Sequence, residues 1–139
     1  MKQQLKVYCQ KEKLKDIRVF VEKILKKHSI SDVEINKLVL AVDEVCANLM
    51  IHSHQCNPTK QIGVTVNVSP REEIIFEITD FGEGFNICNY KEPSLEEIIK
   101  KQKKGGVGLI LVKRIMDRIE FTKKSNLNIC RLVKKFRVA

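Results

Sequence analysis

The centre of the chain places Ile62, Val64, Val66 and Val68 at every second position, and Ile74, Phe76 and Ile78 do the same a few residues on. Successive side chains of a strand point to opposite faces, so each run is a strand with one apolar face. Ser69-Pro70-Arg71 separates the two runs. A proline there interrupts a continuous ladder, so the pair reads as an antiparallel hairpin. A two-stranded hairpin is barely stable alone in water. The rest of the chain must therefore add strands beside it and a layer over its apolar face.

That layer is legible upstream. Leu14, Ile17, Val21, Ile24 and Leu25 recur every three or four residues, which predicts an amphipathic helix over residues 13 to 28. Ser31 followed by Glu34 is a capping box and opens a second helix. It is expected to run to about residue 54, where Asn57-Pro58 stops it. Leu5, Val7 and Cys9 alternate with polar residues and predict a short first strand. Downstream, Ser94 and Glu97 cap a short helix over 94–101, and an apolar helix is expected over 109–117. Two last strands fit 119–122 and 127–136, the second with an open phase, because both Ile129 and Leu132 have core character. The order β-α-α-β-β-α-α-β-β is that of an α+β two-layer sandwich with a mainly antiparallel sheet. At 139 residues the chain fits a single domain, 1–139.

Composition narrows the function classes. Aromatics are only 6% with no Trp, so the core must be built from Ile, Val and Leu. No apolar run reaches the ~18 residues of a membrane span, and the first residues lack a signal-peptide core, so a cytoplasmic protein is expected. Five cysteines (Cys9, Cys46, Cys56, Cys88 and Cys130) fit no zinc spacing and are expected to be reduced and largely buried. The nearest approach to a ligand cluster, His52, His54 and Cys56, has no second cluster to complete a tetrahedral shell. The net charge is +9, from 26 Lys and Arg against 17 Asp and Glu. The lysines are scattered without interleaved aromatics, so a solvated basic surface is expected rather than direct nucleic-acid binding.

Three motifs carry chemistry. On the second helix Leu38, Val42, Val45 and Leu49 serve the core, while Lys37, Glu44, Asn48 and His52 fall on another face. Glu44 and Asn48 are one turn apart, about 6 Å along the axis. The carboxylate can take a proton from a hydroxyl, and the amide oxygen can ligate magnesium, a hard cation. Asp80-Phe81-Gly82-Glu83-Gly84-Phe85 follows the hairpin directly. Its glycines permit close approach to a ligand, and its aspartate can accept a hydrogen bond from an exocyclic amine. Lys104-Gly105-Gly106-Val107-Gly108-Leu109 opens the apolar helix. Backbone N–H groups at a helix start can point at an anion, aided by the helix dipole and the preceding lysines. No Gly-Lys-Ser/Thr ends this stretch, so it is not a P-loop.

Each motif alone is an ordinary helix face, turn or loop. Together, in this order and within the 66 residues from Glu44 to Leu109, they resemble the GHKL ATP-binding superfamily, that of gyrase and the histidine kinases. The short chain looks most like the anti-sigma factor serine/threonine kinases. The resemblance implies the Bergerat fold, a mixed, mainly antiparallel sheet with helices on one face, and ATP and Mg2+ as ligands. It implies Glu44 as general base, Asn48 as magnesium ligand, and Asp80 as the acceptor that selects adenine. Gly82 and Gly84 would pass close to the base with Phe85 beneath it. Gly105, Gly106 and Gly108, with Val107 and Leu109 in the same stretch, would give backbone N–H groups to the phosphates. Lys104 is a candidate for a further phosphate contact, the loop 86–104 for a lid, and His52 for a supporting role. Where the family carries Gly-Thr near the adenine, this chain reads Asn126-Leu127-Asn128-Ile129, and Asn128 can substitute. The partners implied are a small anti-anti-sigma protein, as substrate, and a sigma factor, sequestered. A homodimer is also implied, for which the apolar and basic first helix could serve. The alternative is a non-catalytic ATP-binding module that switches protein partners.

Overall fold

The computed structural model describes residues 2–50, 61–69, 73–80, 104–124 and 127–135, with backbone alone for 104–109, 123, 124 and 127. Strand β1 (Lys2–Tyr8) leads to helices α1 (Lys13–Leu25) and α2 (Asp32–Asn48). Then come β2 (Gln61–Ser69), β3 (Glu73–Asp80), α3 (Lys104–Ile115), β4 (Arg118–Lys124) and β5 (Leu127–Lys135). The strands form one sheet in the order β1-β2-β3-β5-β4, with every neighbouring pair antiparallel. β3 and β4 therefore run the same way on either side of β5. The expected helix over 94–101 and the turn at 70–72 lie outside the described residues.

The hairpin pairs as its alternation requires. Val68 faces Ile74, Val66 faces Phe76 and Val64 faces Ile78, and all six are buried. β5 extends the same rows, with Leu132 beside Phe76 and Cys130 beside Ile78. This settles the phase of the last strand: Cys130 and Leu132 join the core, while Ile129 is only half-buried on the other face. Over this surface lie Ile17, Val21, Ile24 and Leu25 of α1 and Ile35, Leu38, Val42 and Val45 of α2. α2 packs against both α1 and α3 and is the middle helix of the layer. Among the described residues, Phe76 leads the largest fully buried side chains.

Helix ends differ from the periodicity in instructive ways. α1 stops at Leu25 rather than His28, because the N–H groups of Lys27 and His28 bond to Ile24 and Leu25 three residues back. The last turn is thus tightened into 3-10 geometry and still carries the apolar spacing. α2 opens where the capping box says, with Ser31 Oγ accepting from the Glu34 N–H at 3.2 Å. Its regular part ends at Asn48, Leu49 and Met50 continue as a wider helical turn into the core, and the expected end near residue 54 lies outside the described residues. α3 starts at Lys104 rather than Leu109, so the glycines form its first turns instead of a preceding loop. At its other end Asp117 Oδ2 accepts from the Lys135 N–H at 2.7 Å, and the Asp117 N–H bonds to Val133, tying the turn into β4 to β5.

Candidate nucleotide site

α2 presents Glu44 and Asn48 one turn apart, as their spacing demands. Asn48 is buried, and its Nδ2 donates to the Glu44 carbonyl oxygen at 2.8 Å. The donor end of the amide is thus committed to its own helix. That leaves Oδ1 as the end suited to a hard cation, so the donor chemistry fits magnesium. Glu44 is half-buried, and removal from water holds its carboxyl above the usual range, with the negative charge of Asp43 adding to the effect. A carboxylate so placed is a better proton acceptor than an exposed one.

Asp43 is itself held. Arg18 of α1 donates from Nη1 to Asp43 Oδ1 at 2.9 Å, pinning α1 to α2 beside Glu44. Sequence reasoning missed this pair. A separation of 25 residues leaves no local signal, and Asp43 beside Glu44 was the only hint.

The end of β3 supplies the third element. Asp80 is 1% exposed and lies directly opposite Asn128, 3% exposed, in the β3–β5 register. Asp80 shares the parity of Phe76 and Ile78 and so faces the helical layer. An unsatisfied buried carboxylate would cost several kcal/mol. Among the described residues no buried side-chain nitrogen or oxygen lacks a hydrogen-bond partner. Asn128, expected to stand in for a threonine, thus lies beside Asp80.

α3, whose first turns contain Gly105, Gly106 and Gly108, packs against α2, and α2 also touches β3. In a helix that starts at Lys104, the N–H groups of Gly105 and Gly106 belong to the first turn and have no intrahelical acceptor. The Gly108 N–H falls within the i→i−4 ladder and turns back toward the Lys104 carbonyl. Lys104, Val107 and Leu109 lie on the same turns. Gly82, Gly84, Phe85, His52, the lid and Asn126 fall outside the described residues. The structure thus brings together the helices that carry two of the motifs and the strand that ends in the third.

The other candidates stay apart from this site. Cys9, Cys46 and Cys130 are buried and form no disulfide, as expected, and burial pushes the Cys46 thiol far up. Cys56, Cys88 and His54 lie outside the described residues. Among the described residues no group of three or more His, Cys, Asp or Glu could hold a metal ion. Nor is any described helix long and apolar enough to cross a membrane.

A helix bearing a carboxylate and an amide one turn apart, an aspartate at a strand end and a glycine-rich helix start together define a class. The chain matches the family model described as histidine kinase-like ATPase domain over residues 9–134, and it belongs to that family. It is 31% identical over 108 residues to the serine-protein kinase RsbW of Bacillus licheniformis, covering 74% of this chain and 66% of that protein. Against the serine-protein kinase RsbW of Bacillus subtilis it is 24% identical over 132 residues, covering 91% of this chain and 81% of that one. Among solved structures it resembles a chain in the SiaB-SiaC complex from Pseudomonas aeruginosa, with a TM-score of 0.69 and 13% identity over 94% of this chain and 88% of that one. It also resembles the RsbU and RsbW domains of a Mycobacterium tuberculosis protein, with a TM-score of 0.66 and 9% identity over 97% of this chain and 32% of that one. These structural likenesses support the α+β fold.

Proposed function

We propose that this chain is an ATP-dependent protein serine/threonine kinase that acts as a cytoplasmic anti-sigma factor. It phosphorylates a small anti-anti-sigma partner and sequesters a sigma factor. The observation that carries the reading is the Glu44–Asn48 pair: a partly desolvated carboxylate and an oriented amide one turn apart, on the helix that packs against α3. Its kinship with proteins named serine-protein kinase RsbW supports the same reading.

In this mechanism Asp80 accepts the hydrogen bond of the adenine amino group, with Asn128 beside it. By the family resemblance, Gly82, Gly84 and Phe85 would border the base. The backbone N–H groups at the start of α3 receive the phosphates, with Lys104 adding positive charge. Glu44 takes the proton of the attacking serine or threonine hydroxyl as its oxygen bonds to the γ-phosphorus and the bond to the β-phosphate bridging oxygen breaks. Asn48 would hold magnesium through Oδ1, and the ion would neutralise phosphate charge. The protein otherwise contributes positioning.

Incubation with magnesium-ATP and a candidate anti-anti-sigma protein is expected to transfer the γ-phosphate to that protein. Glu44→Gln should abolish transfer and leave ATP affinity within several-fold. Equal transfer by this variant would overturn the base assignment. The non-catalytic reading, an ATP-dependent switch between partners, draws on Asn128 in place of the family's threonine. ATP binding without a phosphorylated product on any partner would decide for it.

A further inference from the structure

Ion pairs on the described helices are of two kinds. Lys13–Asp16, Lys26–Glu22 and Lys37–Glu34 each span one turn of a single helix, between exposed side chains. Such pairs contribute little. Arg18–Asp43 differs. It joins α1 to α2 across 25 residues at 2.9 Å, and the Asp43 side chain is only 17% exposed. Its place matters more than its strength. Asp43 immediately precedes Glu44, so the two side chains leave the α2 axis about 100° apart. Ile17 and Val21 near Arg18, and Val42 and Val45 around the two acids, are buried in the core. Apolar burial is non-directional, so it sets the spacing of packed helices more firmly than the roll of one about its axis. A guanidinium–carboxylate bond is directional, and this one is made at the residue next to Glu44. Charge points the same way. Asp43 and Glu44 are adjacent acids, and the charge of one acts on the other. Arg18 supplies the opposing charge from α1. The lysine of α2, Lys37, stands seven residues from Glu44, about 10 Å along the axis, and is 3.8 Å from Glu34.

We propose that Arg18 and Asp43 are positioning residues for phosphoryl transfer: the bond between them sets the roll of α2 and draws the Asp43 carboxylate toward α1, so that the Glu44 carboxylate stays aimed at the acceptor hydroxyl. The inference rests on the kinase reading of Glu44. In this role neither residue touches ATP or the hydroxyl, and both act through Glu44. A displacement of about 1 Å at a reacting group can cost about a hundredfold in rate. A half-exposed bond can therefore govern transfer while adding little to stability.

The test is a mutant cycle on transfer from magnesium-ATP to an anti-anti-sigma protein, with the intact chain as enzyme. Arg18→Ala is expected to lower kcat by about tenfold or more, with KM for ATP and for the acceptor protein each within about threefold. Arg18→Lys, which keeps the charge, should recover part of the loss. Adding Asp43→Asn to Arg18→Ala removes the uncompensated charge and should recover most of it. Melting temperatures should hardly change. The carboxyl-carbon NMR resonance of Glu44, recorded on the free protein at one fixed pH, should move in Arg18→Ala and return in the double variant. An unchanged kcat in Arg18→Ala, a loss confined to KM for the acceptor protein, or a double variant slower than Arg18→Ala would each overturn the proposal. So would a Glu44 resonance that Arg18→Ala leaves in place. A wild type that transfers no phosphate would sink the kinase reading instead, and the Glu44 resonance alone would then decide whether this bond positions the carboxylate.

Discussion

Two neighbouring rows of the same sheet face make an instructive pair. The row Val64–Ile78–Cys130 and the row Ile62–Asp80–Asn128 are two residues apart along the strands and face the same helical layer. In both rows every residue is buried. One row is apolar throughout, and the next holds a carboxylate and an amide. The apolar row gains roughly 1.5–3 kcal/mol for each large side chain removed from water. The polar row forgoes that gain and must satisfy its hydrogen bonds inside the protein. Packing alone would have continued the aliphatic pattern for one more pair. The change of chemistry at the end of β3 is what the proposed nucleotide site needs, an acceptor at the end of the sheet.

Substitutions can sharpen this contrast. The largest effect is expected at Glu44, on transfer rather than on folding. Loss of a general base costs typically 10²–10⁴-fold in rate. The base must be ionised to act, and burial raises its pKa above the usual 4.5, so transfer should fall off with acid at a higher pH than for an ordinary carboxyl. The sign for stability is opposite to that of a salt-bridged acid. A carboxyl whose folded pKa is raised weakens the fold as pH climbs from its unfolded pKa through the folded one. Glu44→Gln should therefore leave the melting temperature at pH 7 unchanged or slightly higher, which calorimetry would check.

Next comes the apolar row's neighbour Phe76, fully buried at the centre of the sheet. Phe76→Ala is expected to cost about 3–5 kcal/mol in chemical denaturation. Asp80→Asn should do the reverse: ATP affinity falls roughly 10- to 100-fold in calorimetric titration, the worth of a hydrogen bond to a charged group, with the fold retained. If Asp80→Asn unfolded the protein and left the affinity of the folded fraction intact, the polar row would be structural. Smallest is Ser31→Ala, which removes the α2 cap and should cost about 1 kcal/mol of stability with no change in nucleotide binding.

Much of this was legible in the chain because it rests on local rules. The Ile62 and Ile74 runs gave the hairpin register, since a one-residue slip would expose the whole apolar set. Ser31 and Glu34 located the start of α2 through a contact three residues long. Glu44 and Asn48 share a face by helical geometry alone. What local pattern could not give was non-local. The Arg18–Asp43 bond joins two helices, and the burial of Asn128 beside Asp80 follows from a strand register set by the sheet. The phase of β5 needed its neighbours, because Ile129 and Leu132 are equally apolar in isolation. The start of α3 was misplaced because glycine is a poor helix former, about 1 kcal/mol worse than alanine, while packing of the apolar helix on α2 overrides that preference.

Thermal unfolding with magnesium-ATP, and separately with magnesium-GTP, asks whether the three motifs make one adenine-nucleotide site. At a hundredfold excess over Kd a ligand stabilises by about 2.7 kcal/mol. For a domain of this size that is a rise of roughly 5–10 °C. The rise is expected with ATP, is expected to be absent with GTP, and should be lost in Asp80→Asn. An unchanged melting temperature with ATP, or equal stabilisation by the two nucleotides, would contradict an adenine-selecting site at Asp80.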